Sequence, residues 1–346
     1  MDTKKDILWI NLVRAICIIG VFFVHSERFS GVYFKYVELF IRPFLVNAFF
    51  FISGYLLFRK QLSEPIIKKG FIEYLLIDGK QFLGNIFCRL FIPTLLFSLI
   101  EFFPSYILRG REFGIEEFIY KTIGGCTYWF TAALIVAELI MFLLLLSRQR
   151  RILFYLVTSC IFCALGMYLN KNNIGQFSGM PDFPWAYQNG MAATLFLALG
   201  GLYWRLEDYI NKFHNKYILA LMTMGYIGIL LLYPTKFHVL VSVMKLNLPG
   251  ICISILSIII LVGLCKQINH SKLFNYIGQN TIGLYFMSGA LPVVFSIIGN
   301  HFLSAGSTIG VVFVFICSMC VSYLVVRLIN HLAPWLLDIR KLRSNK

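Results

Sequence analysis

Charge is scarce in this chain, and acid is scarcer than base. Charged residues fill 14% of its 346 positions, where an ordinary soluble domain has roughly 25%. Only 16 of them are Asp or Glu, against 31 Lys and Arg. A water-soluble fold of this size cannot cover a composition that is 59% apolar, and a disordered chain does not carry so much oil. The same numbers exclude a secreted disulfide scaffold and, despite a net charge of +15, a nucleic-acid-binding domain. A Walker loop, a dinucleotide fingerprint, a GxSxG elbow and the kind of repeat that marks a duplicated transporter are all missing.

What is present is oil in long runs. Phe alone accounts for 34 residues, and apolar stretches of about 20 residues, the length a helix needs to cross a hydrocarbon core, recur from one end to the other. The fold class is therefore all-α: a polytopic transmembrane bundle of about ten helices, forming one integral-membrane domain over 1–346. Hydropathy places the spans at 7–26, 39–58, 82–101, 126–147, 152–169, 189–204, 217–233, 247–265, 277–298 and 307–332. The first run carries Arg14 in its interior and has no small-residue cleavage site after it, so it should be retained as a helix. With the N-terminus in the cytoplasm, the inside segments hold 19 Lys and Arg and the outside segments 7. That bias puts both termini in the cytoplasm and explains the excess charge as an orientation device.

Cysteine says little. The spacings Cys160/Cys163 and Cys317/Cys320 sit inside apolar helices without His or acidic neighbours, so they read as buried small hydrophobes, and no metal is expected. The outside loops at 102–125 and 170–188 are long enough to shape a lid. Their Trp185, Tyr187, Tyr106, Arg109 and Arg111 suit a sugar, or else an interfacial aromatic belt.

Polar residues inside the spans carry the information, because an Arg at a helix centre costs about 2.5–3.5 kcal/mol on insertion scales and needs a partner, a cavity or a ligand. The first helix has Arg14 and His25. Eleven positions at about 100° each close three turns plus about 20°, so the two side chains share a face about 16 Å apart along the axis. By depth, Arg14, Arg89 and Glu138 could meet, Glu138 either neutralising one arginine or leaving a cationic surplus for a phosphorylated ligand. His25 falls near the outer surface.

These residues sit in motifs. NLVRAICIIGVFFVHS, with Arg14 and His25, resembles the opening helix of the membrane acyltransferase 3 family, integral-membrane O-acetyltransferases of surface glycans. FFFISGYLLF, with Ser53, Gly54 and Tyr55, is similar to the family's second helix, and RLFIP from Arg89 to Pro93 to its third. Tyr128-Trp129-Phe130 matches the entrance to the fourth, and IGQNTIGLYF from Ile277 a late segment. Asn11 stands where the family often has an acid, Ile86 where it often has an arginine, and Ser288 where it often has a histidine.

The resemblance implies acetyl-CoA, or a related acyl-CoA, as donor from the cytoplasm, and a carbohydrate or glycolipid hydroxyl as acceptor at the outer face of a bacterial cytoplasmic membrane. Arg14, joined by Arg89, would orient the donor, and His25 would take the proton of the attacking hydroxyl, with an acyl-His intermediate also open. Glu27 could orient His25 if the helix frays beyond it. Trp129 and Tyr128 would wall the acceptor or serve as an aromatic belt, and Ser53 with Tyr55 reads as helix packing. Gly278, Gln279, Asn280 and Thr281 open the ninth predicted helix, where free N–H groups could take a phosphate or simply be capped. The competing function is a glycan or lipid-linked precursor flippase, and a third is a membrane scaffold for polysaccharide assembly. Oligomeric state is not legible.

Overall fold

The computed structural model describes residues 8–63, 69–108, 114–147, 151–176, 183–235, 246–268, 271–303 and 306–342, the side chains at 105, 106 and 108 excepted. Arg109 and Arg111, and the Tyr106 side chain, lie outside them. All regular structure among the described residues is helical. In chain order the helices are α1 (Leu8–Ser30), α2 (Lys35–Leu45), α3 (Asn47–Gln61), α4 (71–108), α5 (Ile115–Thr122), α6 (Trp129–Leu145) and α7 (Ile152–Lys171). They continue as α8 (Tyr187–Asn211), α9 (Lys216–Leu232), α10 (Leu248–Gln267), α11 (Lys272–Gln279), α12 (Thr281–Phe302) and α13 (Thr308–Leu332). Short 3₁₀ turns stand at Pro184–Ala186, Pro334–Leu336 and Ile339–Leu342.

The breaks have local causes. Gly31, at φ 73°, ends α1 in a left-handed cap, and the Val32 N–H returns to the Glu27 carbonyl at 3.3 Å. Within α4 the π turn Phe87–Phe91 carries Arg89, and the Ile92 N–H bonds the Phe87 carbonyl five residues back. Pro93, which has no N–H, cannot serve the Arg89 carbonyl four residues back, so the wide turn lies where the α ladder lacks a donor.

Seven segments among the described residues are long and apolar enough to cross a membrane: Leu8–Ser30, Lys35–Gln61, Phe71–Pro104, Ile152–Lys171, Leu248–Gln267, Thr281–Phe302 and Thr308–Leu332. Helices also stand at the other three predicted positions, but α6 and α9 are shorter, and α8 opens on Tyr-Gln-Asn and closes among Arg205, Glu207 and Asp208. The cysteine expectation needs correcting. Cys163 is buried, but Cys160, Cys252 and Cys320 are exposed on their helices, because in lipid the outward face of a helix is as apolar as its core.

The chain divides into two compact units. The first takes the described residues within 8–49, 211–235 and 246–333. Its centre is α1, packed on α2, α10, α11, α12 and α13. Polar side chains bridge its helices: Asn11 donates to Asn275 at 2.6 Å, Asn47 to Ser254 at 3.0 Å and Ser296 to the Phe29 carbonyl at 2.8 Å. Helices need such links where apolar contact is as good with lipid as with protein. Close approach is the other device: a Cβ on Gly278 would overlap the backbone of Asn11.

The second unit takes the described residues within 50–210 and 334–342. Gly54 of α3 lies against the Leu197 carbonyl of α8, and Gly200 of α8 against the Phe51 carbonyl of α3, leaving no room for a methyl at either. Around this crossing pack Phe51 on Tyr203, Phe58 on Tyr155 and Phe50 on Phe130.

Candidate active site

Helix α1 runs unbroken from Leu8 to Ser30, so the eleven-residue interval from Arg14 to His25 keeps both on one stripe, about 16 Å apart. Arg14, Val21 and His25 along it are half-buried, while Cys17 and Ile18 beside them are fully buried. The His25 ring stacks on Phe29 at 6.0 Å between centroids. Its Nδ1 is buried and has no hydrogen-bond partner among the described residues. A buried imidazole nitrogen without a partner costs stability, and its retention calls for an explanation such as a proton it exchanges or a ligand it meets.

Glu27 does something other than predicted. The helix does not fray beyond His25; Glu27 is fully buried and accepts the Phe34 N–H at 2.7 Å. It therefore holds the turn from α1 into α2, beside Glu38, which binds Arg42 at 2.6 Å. That bond ties Glu27 to the turn and not to His25.

Of the two readings of residues 278–281, capping is the one that the hydrogen bonds of Asn280 fit. Gly278 and Gln279 close α11, and the Asn280 N–H bonds the Tyr276 and Ile277 carbonyls at 3.1 and 3.2 Å. The Asn280 amide donates to the Tyr276 carbonyl at 2.9 Å and accepts from Asn330 at 2.7 Å. Thr281 turns its hydroxyl onto the Gly278 carbonyl at 2.7 Å. Asn280 is a link between helices, and its N–H is not available to a phosphate.

The remaining predicted residues belong to the second unit. Tyr128 is buried and caps α6, and half-buried Trp129 meets Phe130 edge-on at 6.3 Å. Tyr55 donates to Glu207 of α8 at 2.5 Å, and Ser53 is half-buried one residue before the Gly54 crossing. Glu138 is half-buried on α6. Arg89 is exposed over 56% of its side chain and faces Asp338 at 4.0 Å. Arg14 belongs to the first unit, Arg89 and Glu138 to the second.

Two features of the second unit escaped the sequence. Asp338 and Arg340 form a clasp against α4: Arg340 donates Nε to Oδ1 at 2.8 Å and Nη2 to Oδ2 at 2.6 Å, and its Nη1 bonds Asn85. The only sequence signal is an Asp-x-Arg spacing in a basic tail. Trp185 adopts φ 53° and lies flat on Phe91, with centroids 5.0 Å apart and planes 9° apart. Its N–H bonds the Gly124 carbonyl at 2.7 Å, so the loop before α6 and the loop before α8 meet. Left-handed backbone at a bulky residue persists only where its surroundings enforce it, and it clusters at functional sites.

A family model described as an acyltransferase domain matches residues 7–327. No curated protein and no solved structure matches the chain. The matched stretch takes in α1 with Arg14 and His25, the RLFIP segment of α4 and the Asn280 link, nearly the whole described fold, and on it the chain belongs to the acyltransferase 3 family, as a multi-pass membrane acyltransferase.

Proposed function

We propose that this protein is an O-acyltransferase that takes an acetyl or related acyl group from cytoplasmic acyl-CoA and delivers it to a hydroxyl of a surface or exported polysaccharide or glycolipid. In this reading the chain crosses a bacterial cytoplasmic membrane ten times and keeps both ends inside. The observation that carries the mechanism is the α1 stripe, a guanidinium and an imidazole about 16 Å apart, with Nδ1 of the imidazole buried and without a hydrogen-bond partner among the described residues.

Acyl-CoA is a polyanionic head on a long thin arm that ends in the thioester. Arg14 holds the donor as a charge-assisted hydrogen-bond donor. His25 works on the acceptor. A neutral imidazole has one bare ring nitrogen that accepts a proton. Nδ1 takes the proton of the sugar hydroxyl as its oxygen attacks the thioester carbonyl. The tetrahedral intermediate then collapses, the C–S bond breaks, and the CoA thiolate recovers the proton from His25. Such assistance is worth typically 10²–10⁴-fold.

Mass spectrometry of surface glycans from cells with and without the protein tests the activity, an acetyl mass difference being the expected result. His25→Ala should remove that difference while the protein stays folded in the membrane. A variant that still modifies glycan at the wild-type rate would refute the role of His25. Labelled acetyl-CoA binding to purified protein should fall in Arg14→Ala, and retained affinity would take Arg14 out of the donor site.

A further inference from the structure

The segment after α13 lies beyond the matched family domain and brings charge back to α4. Two guanidinium groups converge there on one carboxylate. Arg340 grips Asp338 with Nε and Nη2, and the Arg340 backbone N–H reaches Oδ1 at 3.2 Å. Arg89 stands 4.0 Å from Oδ2, beyond hydrogen-bond range, and makes no hydrogen bond among the described residues. Asp338 is only 13% exposed, whereas Arg89 and Arg340 are 56% and 46% exposed. A structural clasp needs one arginine. The second leaves a cationic surplus on a surface where Lys341 is exposed too.

The carboxylate fills a guanidinium fork as two oxygens of a phosphate would. Burial alone would push the Asp338 carboxyl up, but its hydrogen bonds to Arg340 and the charges of Arg340 and Arg89 outweigh burial and leave it below the ordinary carboxylate value. Arg89 also rides on the π turn Phe87–Phe91, and such turns are frequent at functional sites. We propose that Arg89 and Arg340 form a phosphate-binding site in which Asp338 is the resident counter-ion, displaced when the phosphates of the nucleotide donor arrive. The identity of that ligand rests on the acyl-CoA reading above. The pairing of the two arginines around Asp338 does not.

The probe is adenosine 3′,5′-bisphosphate, titrated calorimetrically into the purified full-length protein in nanodiscs of neutral lipid. Removing a charge about 4 Å from the site is worth a factor of roughly five or more. Asp338→Asn should therefore bind at least about fivefold tighter than wild type and Arg340→Ala at least about fivefold weaker. Asp338→Glu, which keeps the charge, should return towards wild type and shows that the first effect is electrostatic. Unchanged or weaker binding in Asp338→Asn, with wild type still binding acetyl-CoA, overturns the site and leaves the donor reading intact. Failure of wild type to bind either the bisphosphate or acetyl-CoA overturns the donor reading and this ligand together. If Asp338→Asn instead retains more phosphatidylglycerol while the bisphosphate is unaffected, the site belongs to a lipid headgroup and the proposal falls.

Discussion

Gly278→Ala tests whether α1 is held where the chemistry needs it. A Cβ at this position would stand 2.5 and 2.6 Å from the carbonyl carbon and Cα of Asn11, and nearer still to its oxygen. Carbon atoms rest at about 3.5 Å or more, so α11 and α1 must part by about 1 Å. The obstruction is backbone, and no side chain can swing aside. Overpacking of this kind costs about 1–3 kcal/mol, and the gain from replacing glycine in a helix offsets about 0.5–1 of it. The control is Gly225→Ala in α9 of the same unit, where nothing lies within 4 Å of the added methyl and only the gain remains. Differential scanning fluorimetry of the purified proteins in one detergent should order the melting temperatures as Gly225→Ala, then wild type, then Gly278→Ala. Acyl transfer should suffer more than stability, because Arg14 lies three residues from the point of contact and a displacement of about 1 Å can cost about 10²-fold in rate. A Gly278→Ala protein that melts at or above wild type would refute the close-contact argument.

Other outcomes follow from single contacts. Tyr55→Phe deletes the donor to Glu207 and should destabilise the second unit by about 1.5–3 kcal/mol, the range for hydrogen bonds to charged groups; a melting temperature equal to wild type would show the bond to be without net worth. Because the folded pKa of Asp338 lies below its ordinary value, the stability contributed by its clasp is fully present above about pH 3.9 and fades as pH falls through the lower, folded value. Hydrogen exchange at residues 339–342, corrected for intrinsic rates, should thus be flat from neutrality down to about pH 5 and rise only below about pH 4. A rise already complete by pH 5 would assign the clasp to some other group.

The α1 stripe was legible in the sequence because a helix repeats every 3.6 residues and nothing between Leu8 and Ser30 interrupts it, so spacing alone fixed which side chains align. The apolar runs were legible for the same local reason. Glu27 was misread because its partner is a backbone N–H delivered by the turn at Gly31, which no periodicity announces. The helix boundary at Asn280 was not legible because a helix end and a helix start share it: the hydropathy of residues 277–298 is continuous, while the hydrogen bonds change partners at that position. The Asp338 clasp joins residues about 250 apart in the chain, and Trp185 takes its backbone angle from Gly124 in another loop. Contacts of that range depend on how helices assemble, which a single sequence read locally does not contain.

The wide turn at Phe87–Phe91 behaves as one surplus residue inserted into the spiral, downstream of a second such stretch at Tyr74–Gly79. Its presence rotates everything on the N-terminal side of α4 by about 100° relative to what comes after. Excising one residue there should let the spiral close up in ordinary register, which would swing Asn85 and Lys80 to a new azimuth while Phe97 and Phe102 keep theirs. Numbering that simply counts along α4 will therefore misalign this segment against any homologue built without the extra residue, and the error will fall on the stretch that presents Arg89.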